Sequence, residues 1–257
     1  MITSPQNPTV KTVRSLQSLR KTREAEGRFV IEGVRLAEEA VQAQSEVHLA
    51  LYTPDLDARS RAALRGLEAR GAKVEAVSEA VMAAAAETQT PAGLLAVVAM
   101  PTFLVLPNPA FALIVDRLGD PGNLGTVLRT ADAAGVQVVF LMPGTVDAYN
   151  PKVVRAGMGA HFHLPIIDAH WETLAGQLGG AAVWLAEARA GEPYDQVDWR
   201  GACAIVLGSE AAGPSAAARA FTPQRVHIPM PGRAESLNAA VAAGVLLFEA
   251  ARQKRAS

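Results

Sequence analysis

The sequence has a single cysteine, Cys203, in 257 residues. That excludes an intramolecular disulfide and any cysteine-rich zinc or iron–sulfur centre. Cys203 opens the apolar run Cys203-Ala-Ile-Val-Leu207. A buried, inert thiol is therefore expected, and a cytosolic compartment fits. Aromatic residues are scarce at 5%, and Trp171, Trp184 and Trp199 are expected in the core or at its edge. No sign of charge dominates: 24 basic and 25 acidic residues give a net charge of −1. That balance excludes a uniformly basic protein of the kind that coats nucleic acid. Long apolar runs are also missing. The stretch Ala239–Phe248 is about half of a membrane span, and the polar start Met1-Ile-Thr-Ser-Pro-Gln-Asn-Pro8 lacks a signal-peptide core. His161 and His163 alternate on an expected strand, but no third ligand accompanies them, so a structural role is expected and no metal.

What is present is an alternation of short apolar strands and helical segments. The hydrophobic share is 50%, although alanine makes up 50 of the residues. The prolines at 101, 107 and 109 mark a linker over 101–110, with a boundary near residue 105 between a domain over 1–100 and one over 111–257. In the first domain, strands are expected at Arg28–Glu32, Val47–Thr53, Lys73–Val77 and Leu94–Ala99. Helices are expected at Gly33–Ala43, at Asp57–Gly71 and after Ser78, giving a small βαβ-type domain. In the second, strands are expected at Ala112–Asp116, Val136–Leu141, His161–Ile167, Ala182–Ala186, Cys203–Leu207 and Arg225–Met230. Runs such as Phe111-Ala-Leu-Ile-Val115 suit a parallel sheet buried on both faces, an open α/β sheet. Such sheets bind ligands beyond the carboxyl ends of their strands.

Three loops lie there. Asp116-Arg-Leu-Gly-Asp-Pro-Gly-Asn-Leu-Gly-Thr-Val-Leu-Arg-Thr-Ala-Asp132 carries a Pro121-Gly122 turn, Asn123 as a candidate cap, and Gly125 and Arg129 on one helix face. Arg129 either reaches a substrate group over the small Gly125 or pairs with Asp132 at i+3. Leu207-Gly-Ser-Glu-Ala-Ala-Gly213 follows a strand, with Glu210 at its end. It is either a ligand loop with close backbone approach at Gly208 or an ordinary turn. In the third loop, Pro229 and Pro231 end a strand and Ser236 is the expected cap of a long helix. That helix bears Leu237, Val241, Val245 and Phe248 among small residues, a pattern for core packing or for a subunit interface. None of the loops is a G-x-G-x-x-G or P-loop signature, which argues against a nucleotide-dependent oxidoreductase.

Together and in this order, the three loops resemble the three motifs of the SpoU (TrmH-type) RNA ribose methyltransferases of the SPOUT superfamily. The segments Ser4-Pro-Gln-Asn-Pro8, Arg28-Phe-Val-Ile-Glu-Gly33 and Thr90-Pro-Ala-Gly-Leu-Leu-Ala-Val97 resemble that family's small α/β, ribosomal-protein-like RNA-binding domain. The resemblance covers nearly the whole chain. Where the second motif often reads Gly-Ser-Glu-Gly-x-Gly-Leu, this chain has Ala211 and Pro214, and Pro214 is expected to start a helix.

The resemblance implies a SPOUT-type α/β domain with a C-terminal trefoil knot, S-adenosylmethionine as cofactor, and transfer of its methyl group to a ribose 2′-hydroxyl of RNA. It implies cofactor contacts at Leu207, Gly208, Ile228, Met230 and Leu237. It implies Arg129 as the catalytic residue, with Asn123, Glu210, Ser236 and Asn238 holding it and the target nucleotide. Arginine is almost never deprotonated in proteins. Arg129 is therefore either a base assisted by the RNA phosphate or a cation that binds that phosphate and lowers the hydroxyl pKa. A cytoplasmic homodimer is implied as well. Lys11, Arg14, Arg20, Lys21 and Arg23 fall in the first 23 residues, which hold no acid. They are either an RNA-phosphate surface or a solvated helix. Of the basic residues 19 are arginine, the side chain suited to bidentate phosphate contact. Ribosomal RNA is the expected substrate. Transfer RNA methylation, or a non-catalytic role in RNA binding or ribosome assembly, are the alternatives.

Overall fold

The protein is described here by a computed structural model covering residues 1–104, 107–210 and 212–256. Ala211 and the boundary near residue 105 fall outside the described residues. The chain forms two compact units. The first holds Met1–Thr102 together with Tyr149–His163, and the second holds Phe103–Ala148 and Leu164–Ser257. A division at 101–110 alone is therefore corrected: Tyr149–His163 lies beyond the linker in sequence but packs with the first unit. Its Tyr149 and Phe162 rings pack at a tilt against Phe29, with centroids 5.0 and 5.8 Å from the Phe29 centroid.

The first unit opens with helices α1 (Pro8–Ser18) and α2 (Arg20–Glu26). Asn7 caps α1 through the Thr9 amide, and Val10, Val13 and Leu16 recur at three-residue spacing to form its buried stripe. Gly27, at φ 61°, ends α2 in the left-handed conformation that glycine adopts without strain. There follow β1 (Arg28–Glu32), α3 (Val34–Gln42), β2 (Val47–Tyr52), α4 (Ala58–Ala69), β3 (Lys73–Ala76), α5 (Glu79–Ala85) and β4 (Leu94–Ala99). The sheet order is β1-β4-β2-β3. β4 runs antiparallel to both β1 and β2, and only β2 and β3 are parallel. The unit is thus mixed rather than purely βαβ. Strand alternation divides its core. Phe29, Ile31, Leu94 and Ala96 face one hydrophobic layer, while Val30, Leu95 and Val97 face the other.

The second unit begins with β5 (Phe111–Val115), α6 (Pro121–Ala133) and β6 (Val138–Leu141). Helix α7 (Pro151–Gly157) belongs to the first unit. The chain then returns through β7 (Ile166–Asp168), α8 (Trp171–Leu178), β8 (Ala182–Ala186), β9 (Glu192–Pro193), β10 (Cys203–Leu207), α9 (Ala216–Phe221), β11 (Arg225–His227) and α10 (Ala239–Arg255). The seven strands lie in the order β7-β6-β5-β10-β8-β11-β9, and every pairing is parallel. β5 and β10 are central and buried at all five positions, as their unbroken apolar runs require.

Several local expectations are corrected. The strand expected over His161–Ile167 is a 3-10 turn at Ala160–Phe162 followed by β7. Pro165 carries no backbone N–H for a ladder, and Gly159 turns the chain at φ 105°. β11 ends at His227, short of the prolines at 229 and 231. Pro214 does not start a helix; Ser215 caps α9 by accepting from the Ala218 amide, so Pro214 lies just outside. Trp199 is fully buried and packs at a tilt against Trp184, with ring centroids 5.8 Å apart. Among the described residues no helix is long and apolar enough to cross a membrane.

Candidate active site

The carboxyl ends of β8, β10 and β11 converge on a cavity of about 290 Å³. Leu207 and Gly208 leave β10 into it, Ile228 and Met230 leave β11 into it, and Ser236 and Leu237 approach from the segment before α10. All five positions expected to touch a cofactor therefore line one space. Its walls are mostly aliphatic, which suits a flat aromatic ring. Gly208 has no room for a side chain: a Cβ there would stand 2.5 Å from the Pro214 nitrogen. The loop can close this tightly only with glycine at that position.

The main-chain groups complete the fit. Among the described residues, the amide nitrogens of Gly208, Ile228, Met230 and Leu237 donate no backbone hydrogen bond. Such donors at strand ends can fix the polar edge of a purine while the aliphatic walls hold its faces. The residues present therefore fit S-adenosylmethionine.

Beside the cavity, a hydrogen-bonded chain joins the three loops. Asn238 caps α10 by accepting from the amides of Ala240 (2.9 Å) and Val241 (3.3 Å). With its oxygen so engaged, its Nδ2 donates to Asn123 Oδ1 at 3.0 Å. The Asn123 Nδ2 in turn donates to Glu210 Oε1 at 2.6 Å. Each amide group has its orientation set by the one before. The expectation that Ser236 caps α10 is thereby corrected, because Asn238 performs that function two residues later. The expectation that Asn123 caps α6 is also corrected. Asp120 accepts from the Asn123 amide, and Pro121 holds the first helical position, which frees the Asn123 side chain for the chain just described.

Arg129 lies two turns into α6, beyond the buried Gly125. Its side chain is exposed. Asp116, at the end of β5, is 1% exposed, and its carboxylate accepts from the Ser215 amide at 2.7 Å. It ties the first loop to the segment after the second. Sequence reasoning assigned it no role, although an acid closing a strand of five apolar residues was a visible signal.

The basic segment at the N-terminus divides. Lys11, Arg14, Arg20 and Lys21 are exposed. Lys11 and Arg14 flank an open groove with Gln17 and Leu19. Arg20 pairs with Glu24 at 2.6 Å. Arg23 is 3% exposed, and its guanidinium donates to the carbonyls of Leu16 (2.6 Å) and Gln17 (3.0 Å). As a phosphate contact Arg23 is corrected: it is a buried brace for the end of α1.

Comparison with known proteins bears on the whole chain. The profile of the SpoU rRNA Methylase family matches residues 110–248. The chain belongs to that family. A second profile, the MRM3-like substrate binding domain, matches residues 7–96. The chain is 36% identical over 249 residues to the 23S rRNA (guanosine(2553)-2′-O)-methyltransferase RlmP of Bacillus subtilis, covering 96% of this chain and 97% of that protein. It superposes on the AdoMet-bound rRNA methyltransferase of Sinorhizobium meliloti with a TM-score of 0.86 at 30% identity, over 98% of this chain and 97% of that one. It also superposes on the SpoU methyltransferase AviRb of Streptomyces viridochromogenes in complex with AdoMet, with a TM-score of 0.85 at 29% identity, over 98% of this chain and all of that one. The hydrogen-bonded asparagines and Glu210 sit one on each of the three loops, all within the matched residues.

Proposed function

We propose that this protein is an S-adenosylmethionine-dependent methyltransferase acting on a ribose 2′-hydroxyl of ribosomal RNA in the cytoplasm. The observation that carries this reading is the Asn238–Asn123–Glu210 chain, which fixes the three motif loops against one apolar cavity. The RlmP relative acts on 23S rRNA, and the Sinorhizobium and Streptomyces proteins bind AdoMet; both facts support it. The cofactor supplies an already activated methyl group. The protein's task is to align the ribose oxygen with that group and to ease loss of the hydroxyl proton.

Leu207, Gly208, Ile228, Met230 and Leu237 hold the cofactor. Asn123, Glu210, Ser236 and Asn238 position the nucleotide. Arg129 is the catalytic residue, and we assign it the electrostatic role. It lies exposed rather than in the desolvated pocket that a deprotonated guanidinium would need, so it binds the adjacent phosphate and stabilises developing negative charge on the 2′-oxygen. Lys11, Arg14, Arg20 and Lys21 supply salt-dependent contacts to the RNA backbone.

The knot of the family belongs to this proposal. The insertion of β10 between β5 and β8 supports it. So does a homodimer. Phe248 (47% exposed), Val241 (53%) and Leu237 (36%) leave an apolar stripe on α10 and the segment before it. A sedimenting monomer with full activity would contradict the dimer.

The test is methylation of total RNA from a strain lacking this gene, with labelled cofactor and mapping of the modified ribose. A single 2′-O-methyl site in ribosomal RNA is expected. Label in transfer RNA alone would replace the substrate, and absence of label with retained RNA binding would favour a ribosome-assembly role.

A further inference from the structure

The cavity has a third wall that no motif includes. Ala186, Glu187 and Ala188 line it at the end of β8. The Glu187 carboxylate is bound from two sides. Arg219 donates its Nε to Oε1 at 2.9 Å with its Nη2 2.8 Å from the same oxygen, and Arg225 Nε stands 3.1 Å from Oε2. Arg225 reaches on to the Arg219 carbonyl at 3.0 Å. The Glu187 amide donates to the Val226 carbonyl at 2.9 Å.

The positions of these arginines give the cluster its meaning. Arg219 lies on α9, the helix that receives the Leu207–Gly213 loop, and its Nη2 lies 3.8 Å from where a Gly213 Cβ would stand. Arg225 opens β11, the strand that delivers Ile228 and Met230 to the cavity. One carboxylate therefore ties both cofactor loops to the end of β8. Glu187 and Arg225 are only 21% and 18% exposed at their side chains, so solvent screens their contact weakly, whereas Arg219 is 46% exposed. Charge-assisted bonds of this kind are stronger than neutral ones, and two donors on one acceptor also fix its direction.

We propose that Glu187 is a positioning residue for the cofactor, which sets the spacing of the two cofactor loops through Arg219 and Arg225 without taking part in the chemistry. This rests on the reading of the cavity as the S-adenosylmethionine site. Without the tie, each loop samples more conformations, and binding must order them again. The cost falls on cofactor affinity, not on the methyl-transfer step.

The test compares the full-length wild type with Glu187→Gln, Arg219→Gln and the double variant, using calorimetry with S-adenosylmethionine and steady-state kinetics on RNA. Each single variant is expected to raise the cofactor Kd and KM roughly 10-fold, with kcat at saturating cofactor within about twofold of wild type. The double variant should be no weaker than the weaker single one, because both changes cut the same tie. Melting of the unliganded proteins should agree within about 2 °C. Unchanged Kd in both single variants, or losses that multiply in the double variant, would overturn the proposal. So would a loss of affinity that appears only with a matching fall in unliganded melting temperature. Arg219→Gln alters a half-exposed side chain and keeps the test decisive if Glu187→Gln folds poorly. Failure of the wild type to bind the cofactor would instead overturn the assignment of the cavity itself.

Discussion

Asn123 donates its side-chain amide to Glu210 at 2.6 Å, across 87 residues of sequence. The amide is held in that orientation because its oxygen is already occupied by Asn238. A neutral side chain thus relays the position of a helix N-terminus to a carboxylate.

The relay can be separated from the cap. Asn238→Asp keeps a good cap for α10, since aspartate accepts from the same amides. It removes the one donor directed at Asn123 Oδ1 among the described residues. Unfolding free energy is expected within about 0.5 kcal/mol of wild type by denaturant titration. Methylation should fall at least roughly 10-fold, because Asn123 and Glu210 lose their fixed geometry. Asn238→Ala loses both, and should also destabilise α10 by about 1 kcal/mol.

Arg129→Ala is expected to reduce methylation by about 100-fold or more, the usual cost of removing one preorganised charge from a transition state. Cofactor binding measured by calorimetry should be unchanged within twofold, since Arg129 is not among the residues lining the cavity. Turnover equal to wild type would remove Arg129 from both catalytic roles considered above.

The basic segment predicts two opposite phenotypes. Lys11→Ala with Arg14→Ala should leave stability unchanged and weaken RNA binding. The slope of log K against log salt should fall by about 0.7 to 0.9 per residue removed. Arg23→Ala should destabilise the first unit by roughly 1.5 to 3 kcal/mol, because the carbonyls of Leu16 and Gln17 lose a charged donor. Its RNA affinity in the folded protein should retain the wild-type salt slope.

Burial pushes the Cys203 thiol above its ordinary pKa. The reactive species is the thiolate, so at neutral pH the native protein should react with an aromatic disulfide reagent far more slowly than the unfolded chain. Raising the pH increases the rate only as the thiol ionises or the fold opens. A native rate equal to the unfolded one would contradict the buried position of β10.

Much of the fold was legible because local chemistry and tertiary role agree. Arg28–Glu32, Ala182–Ala186 and Cys203–Leu207 are strands at the residues expected from the apolar runs they contain. Caps were harder. Asp120, Asn123, Ser236 and Asn238 all have the right chemistry, and only the position of Pro121 and the choice of amides distinguish them. Arg23 and Lys21 look alike in sequence because charge is written there and burial is not. Glu187 belongs to no motif. Its partners lie 32 and 38 positions away and meet it only when three strand ends converge. The site positions proposed here come only from a resemblance carried by all three loops together.

The first unit is discontinuous in sequence, and that orders its assembly during synthesis. Tyr149 and Phe162 complete the layer around Phe29, so a nascent chain released only as far as Thr102 lacks part of its own hydrophobic core. The central strand β10 lies later still, and β5 has no partner on that side until residue 207 emerges. A chain that has emerged only to residue 102 therefore carries Phe29 without two of the rings that close its layer, and the unit reaches its full core only when the middle of the chain follows.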